Sequence, residues 1–247
     1  MIQNIVGHGA TQNDGLGIEQ VFDNRNGGRQ RLHGLFRERH GDTRRFVKLC
    51  HRLDRETSGV ILIGKHPRAH SELMQQFENR QVEKEYLAIV RGHPAEDEGL
   101  MDLPIGPDRG GEIRLKMAIT PKGLPSQTRW RVLERRIAGA YGPVALVSCL
   151  PKTGRQHQIR VHMDALGHPL VGDKLYGVDP SYFLRGAAGE LDAADLRKLG
   201  LPRHALHAHR LRLKAGHGIS RLEILAPLPP DLTTLAQRLG LSLQGTV

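Results

Sequence analysis

One carboxylate in this chain is placed as a reactive group would be. In the run His51-Arg52-Leu53-Asp54-Arg55-Glu56-Thr57-Ser58-Gly59-Val60-Ile61-Leu62-Ile63, Asp54 sits in a short polar turn just before an apolar strand. His51, Arg52 and Arg55 crowd it, and small hydroxyl residues follow. Arginines favour the ionised form of a nearby carboxylate, which is the form that attacks an electrophile or takes a proton. An aspartate in such a turn can equally be a cap or a salt-bridge partner, and residue types alone leave both readings open. A second run, Thr153-Gly154-Arg155-Gln156-His157-Gln158-Ile159-Arg160-Val161-His162, supplies cationic partners. Glycoside hydrolysis uses two carboxylates flanking the bond. Only one acid stands out here, so that chemistry ranks last.

Histidines and cysteines point away from a metal. Among fourteen histidines, His204, His207 and His209 are close in sequence. The last two would share a strand face, and zinc would need a third or fourth ligand. His157 and His162 are five apart, not the i, i+4 spacing of a zinc-binding helix pair. Cys50 and Cys149, the two cysteines, have no short spacing and apolar neighbours, so they read as small buried residues. No metal site and no disulfide framework are expected.

The elements that must hold these residues are strands in clusters, with helices between the clusters. Strands are expected over 60–63, 85–90, 99–103, 118–119, 127–133, 144–150, 207–213 and 222–225. Helices are expected over 67–77, with Pro67 in the first turn, over 156–166, ended by Gly167, and over 192–199 inside a polar excursion at 178–203. Asp231 can cap a last short helix through Arg238. Residues 1–26 read as an atypical arm with at most one short strand, and a basic amphipathic helix is expected near 30–40. This pattern predicts an α+β fold with a mixed, largely antiparallel central sheet flanked by helices.

Composition bounds the partner. The 247 residues carry 36 basic and 26 acidic side chains, a net charge of +10 and a pI near 10.0. That balance favours a polyanion, most simply nucleic acid, without separating RNA from DNA. No apolar run approaches the roughly 18 residues of a membrane span. The opening MIQNIVGHGATQNDG has no basic segment followed by an apolar one, so no signal peptide is expected. A cytoplasmic protein, monomeric by default, is the expectation.

The run from His51 to Lys65 closely resembles the signature of the RluA family of pseudouridine synthases, His-Arg-Leu-Asp-x-x-Thr-Ser-Gly followed by an apolar strand. Four further stretches agree in order and spacing. Lys84-Glu85-Tyr86 resembles the family's Lys-x-Tyr strand, and Gly154 to Arg160 its Gly-Arg-x-His-Gln-x-Arg segment. Gly167 to Asp173 resembles its Gly-His-Pro-x-x-Gly-Asp segment, and Leu206-His207-Ala208 its Leu-His-Ala strand. The resemblance implies a catalytic domain over 27–230, followed by a C-terminal helix and tail over 231–247; many relatives also carry an S4 domain, and with no room for one ahead of residue 27 none is expected. It implies a reaction that detaches uracil from C1′ of a uridine, turns it and reattaches it through C5. No metal, ATP or organic cofactor is implied.

Residue by residue, the resemblance makes Asp54 the catalytic carboxylate, Arg160 its ion-pair partner and Tyr86 the ring that packs on the flipped base. Arg52 matches an arginine that fills the space the base leaves, with phosphate binding as its other reading. Arg52, Arg55, Arg155 and His157 are the candidates for contact with RNA. Arg155, His157 and His162 are structural or RNA-contacting rather than catalytic. The implied substrate is large-subunit ribosomal RNA or transfer RNA. The Asn-Lys-Pro-x-Gly loop that opens the family's catalytic domain has no match in residues 1–26. The alternative is therefore an RNA-binding protein on the same fold with impaired catalysis.

Overall fold

The computed structural model describes residues 16–21, 46, 48–215 and 221–243. Along the chain run β1 (Leu16–Val21), β2 (Lys48–Leu49), β3 (Ser58–Gly64), α1 (Pro67–Glu78), β4 (Glu83–Arg91), β5 (Glu98–Asp102), β6 (Ile105–Pro107) and β7 (Met117–Ile119). There follow β8 (Gln127–Ile137), a 3-10 turn (Gly139–Tyr141), β9 (Pro143–Pro151), α2 (Gln158–Ala165), α3 (Ser181–Ala188), α4 (Ala193–Leu199), β10 (Leu206–Leu213), β11 (Leu222–Leu225) and α5 (Pro230–Arg238). The class is α+β with mostly antiparallel pairing. The helix expected near 30–40 lies outside the described residues.

Two compact units divide the chain: Met1–Lys84 with Ala208–Pro227, and Glu85–His207 with Leu228–Val247. In the first unit β3 is the hub. Its seven residues are all buried, which explains a continuous apolar run in place of alternation. β1 pairs antiparallel with it along six residues, from Leu16 opposite Gly64 to Val21 opposite Gly59. The one short strand allowed in residues 1–26 is therefore present and paired. α1 starts at Pro67 behind His66, whose Nδ1 accepts the Arg68 N–H at 3.2 Å. The helix buries Ala69 and packs Leu73 with Cys50, Val60, Leu62 and Leu211. Its buried Gln76 exchanges two hydrogen bonds with the main chain of Lys214, at 3.0 and 3.1 Å.

In the second unit β4, β9, β8 and β5 form consecutive antiparallel neighbours. One core joins Leu87, Ile89, Val144 and Leu146 to Leu232, Leu235 and Ala236 of α5. Another joins Ala88, Val147, Cys149 and Trp130 to Ile159 and Met163 of α2. β6 and β7 pair as a separate two-stranded ribbon. β6 and α3 have no counterpart among the expected elements. The cap expected at Asp231 is corrected. Pro229 is the capping position, and Asp231 lies inside the first turn. Its carboxylate instead takes the fork of buried Arg203, at 2.7 and 3.1 Å. A guanidinium that deeply desolvated needs such a partner.

Candidate active site

Asp54, Arg52 and Arg55 belong to the first unit, and Tyr86, Arg155, His157 and Arg160 to the second. In the first, Asp54 opens a turn closed by the Thr57 N–H donating to its carbonyl at 3.0 Å. Asp54 is half-buried, Arg52 and Arg55 are exposed, and Thr57 and Ser58 are buried. The turn is anchored on both sides of β3. Before it, Cys50 N–H donates to Leu62 O at 2.9 Å, and Leu62 N–H donates to His51 Nε2 at 3.0 Å. His51 must stay neutral to accept that bond. Desolvation and the nearby Lys84 ammonium push its imidazole down to about 4. Its ring stacks on Phe77, with centroids 5.0 Å apart. Burial pushes Lys84 itself down to about 8.

After the turn, Gly59 has a φ of +124°, and a Cβ there would lie 2.2 Å from the Ala208 carbonyl oxygen. Only glycine serves where backbone conformation and close approach coincide. The Ser-Gly pair after the aspartate thus lets β3 lie against β10 directly behind the turn.

In the second unit the Thr153–His162 run forms a loop and then α2. His157 takes a left-handed φ of 57°, which delays the helix to Gln158, two residues later than expected. Gln158 is buried and fully engaged. Its Oε1 accepts from Thr153 Oγ1 at 2.7 Å and from Arg155 N–H at 3.0 Å. Its Nε2 donates to Gln127 O and Thr128 Oγ1, both at 2.9 Å. Thr128 Oγ1 also meets His162 Nδ1 at 2.9 Å, while His162 Nε2 lies 3.1 Å from Leu103 O. Burial lowers the His162 pKa, consistent with a neutral ring whose Nε2–H donates to that carbonyl.

Arg160 is 7% exposed and forks onto Asp173, Nε to Oδ2 at 2.7 Å and Nη2 to Oδ1 at 2.8 Å. Tyr176 covers a guanidinium face with its ring centroid 4.9 Å from Cζ. Burial alone would raise the Asp173 pKa. The charge and hydrogen bonds of Arg160, aided by His204 and the Leu175 N–H, bring it down to about 2. Tyr86, half-buried on β4 opposite Cys149, packs at the margin of the α2 core.

Of the four residues expected to contact RNA, His157 is the one the structure buries. Its Nδ1 lies 2.8 Å from the Tyr176 hydroxyl. Arg155 is half-buried, and its Nε donates to Pro125 O at 3.3 Å. Gln158 and Asp173 stand in stretches that carry the family resemblance but receive no role from the sequence, and Tyr176 lies outside those stretches. The signal for Asp173 is that the Gly167–Asp173 segment ends on an acid after the apolar Leu170-Val171 pair. Among the described residues, no group of three or more His, Cys, Asp or Glu could hold a metal ion. None of the described helices is long and apolar enough to cross a membrane.

The sequence pattern of the RNA pseudouridylate synthase family matches residues 26–165. The chain is 40% identical over 192 residues to ribosomal large subunit pseudouridine synthase D of Nitrosomonas europaea, covering 76% of this chain and 50% of that protein. It is 39% identical over 150 residues to the dual-specificity RNA pseudouridine synthase RluA of Vibrio vulnificus, covering 61% of this chain and 59% of that one. Its structure matches that of human RNA pseudouridylate synthase domain containing 1 with a TM-score of 0.69 and 31% identity, over 90% of this chain and 83% of that one. The chain spans about half the length of the curated relatives it matches. The match of the family pattern to more than half the chain takes in the Asp54 turn and the Arg160 helix. With the identity to curated relatives, it places the chain in the RluA family of RNA pseudouridine synthases.

Proposed function

We propose that this protein isomerises specific uridines of large-subunit ribosomal RNA or transfer RNA to pseudouridine. The observation that carries this reading is the Asp54 turn inside a segment matched to a family of such enzymes. The reaction breaks the C1′–N1 bond and forms a C1′–C5 bond. C5 gives up a proton and N1 gains one, so atoms and charge balance without an added reagent. The base must leave its stack, at a cost of about a few kcal/mol that protein contacts offset.

In this reading Asp54 acts either by trapping C1′ or by taking a proton so that the base can leave. In the same reading Arg160 is its ion-pair partner. Tyr86 packs on the uracil, because a phenol with an ordinary pKa near 10 is a poor base. Arg52, Arg55 and Arg155 contact the RNA backbone, and His157 supports them from within. The catalytic domain is residues 27–230, and residues 231–247 contribute α5 to its core. The protein works as a cytoplasmic monomer.

Two names among the relatives support the choice of RNA: one acts on the ribosomal large subunit, and the other is dual in specificity. The reading of impaired catalysis rested on a missing element before the aspartate. β1 pairs along β3 in that part of the chain, which favours the active enzyme. The test is pseudouridine mapping of cellular RNA with and without the gene, repeated with Asp54→Asn. Modified uridines that vanish in both cases, while the variant still binds RNA, are the expected result. Turnover by Asp54→Asn after deamidation has been excluded would end the assignment, and wild-type binding without modification would favour the impaired reading.

A further inference from the structure

We propose that Asp173 is the positioning residue for the Arg160 guanidinium, fixing its plane through a paired fork while the Tyr176 ring fixes its face. This rests on the reading of Arg160 as a catalytic group.

The grounds are geometric. Arginine reaches its target through a long flexible chain, and a donor that must be rebuilt each turnover gives little transition-state stabilisation. Here the carboxylate that holds the guanidinium is itself held. Asp173 Oδ1 accepts from the Leu175 N–H at 2.9 Å and the Tyr176 N–H at 3.2 Å as well as from Arg160 Nη2. Oδ2 accepts from Arg160 Nε. Asp173 is 1% exposed, so none of this is diluted by solvent. The turn that delivers it begins at Gly172, where φ is +76° and a Cβ would lie 2.0 Å from the Arg203 carbonyl oxygen.

Tyr176 completes the arrangement. Its hydroxyl accepts the Met117 N–H at 3.0 Å and meets His157 Nδ1 at 2.8 Å, so the ring under the guanidinium is tethered at its far end. The fork uses Nε and Nη2 of Arg160, and Nη1 lies outside it. Asp173 thus holds the Nε–Nη2 edge of the guanidinium and fixes its plane.

The experiment compares Asp173→Asn, Arg160→Lys and the double variant in single-turnover assays on substrate RNA, with melting temperatures recorded for each. Asp173→Asn should lower the rate of the chemical step roughly 10–100-fold and change the apparent affinity for RNA less than about threefold. In the Arg160→Lys background the same change should cost little more, because the group it positions has gone. Asp173→Glu, which keeps the charge, should recover part of the rate. Where Asp173→Asn does not fold, Tyr176→Phe carries the test. It keeps the ring, loses the tether, and should slow chemistry several-fold only when Arg160 is present. If Arg160→Lys turns over like wild type, the catalytic reading of Arg160 fails. If Arg160→Lys is slow but the Asp173 and Tyr176 variants match wild type, or their losses multiply with it, the positioning role alone is overturned.

Discussion

The turn that carries Asp54 and the helix that carries Arg160 are built by different means. Around Asp54 the main chain does the fixing. A Thr57–Asp54 turn bond, the Cys50–Leu62 bond, the Leu62–His51 bond and a glycine pressed on Ala208 set where the short side chain begins. Around Arg160 the side chains do it. Asp173 grips the guanidinium, His157 meets the Tyr176 hydroxyl beneath it, and Gln158 and Thr128 pair at the start of the helix, all in a buried setting. The difference follows from side-chain length. An aspartate has few torsions, so placing its backbone nearly places its carboxylate. An arginine has many, and its head must be gripped directly. The two regions should therefore fail under different substitutions.

The backbone-built region should respond most to a single methyl group. Gly59→Ala forces a Cβ to within 2.2 Å of the Ala208 oxygen at a φ of +124°. Strain and overpacking together should cost about 3 kcal/mol or more. The loss is expected in urea unfolding, and amide exchange at Leu62 should rise. A variant within about 0.5 kcal/mol of wild type would show that β3 does not approach β10 as described.

The side-chain-built region should fail instead when an amide is removed. Gln158→Leu keeps the bulk but removes the acceptor of the Thr153 hydroxyl and the Arg155 N–H and a donor to the Thr128 hydroxyl. Leaving buried polar groups unpaired should cost about 2–4 kcal/mol. Amide exchange at Arg155 is the local readout. If unfolding and exchange there are unchanged, the network is not what holds this loop.

This contrast also explains what could be read in the sequence. The strand after Asp54 was legible because Val60-Ile61-Leu62-Ile63 is apolar throughout, and α1 because Pro67, Ala69 and Leu73 carry both start and face. The start of α2 was misplaced because nothing in the residue type of His157 announces a left-handed φ. Asp231 looked like a cap because an aspartate ahead of an apolar run usually is one. Its true partner, Arg203, lies 28 residues away in sequence and is buried only through tertiary packing. The pairing of Asp173 with Arg160 is illegible for the same reason, since a fork to a side chain 13 residues away leaves no local period. Local backbone devices mark a sequence, whereas pairs of buried charges mark only the fold.

The subtlest separation of the two regions is by acid. His51 is held at about 4, below its ordinary 6.5, so the unfolded chain binds its proton more readily. Stability from this group is complete above about pH 6.5 and is lost as pH falls towards 4. Asp173 is held at about 2, below its ordinary 3.8, so its contribution is complete above 3.8 and is lost only as pH falls through 2. His51→Gln offers the Leu62 N–H another acceptor and cannot titrate. Its unfolding free energy should fall less than that of wild type between pH 6.5 and 4, by about 1–2 kcal/mol, and run parallel below that range. His162 and His204, both depressed first of all by burial, add slope of the same sign. Asp173→Asn should flatten the curve only below pH 3.8. Urea midpoints measured along the acid range decide the matter. A His51→Gln curve that follows wild type from pH 6.5 to 4 would mean the ring is not held neutral beneath the Asp54 turn. The backbone anchor at Leu62 would then need another acceptor.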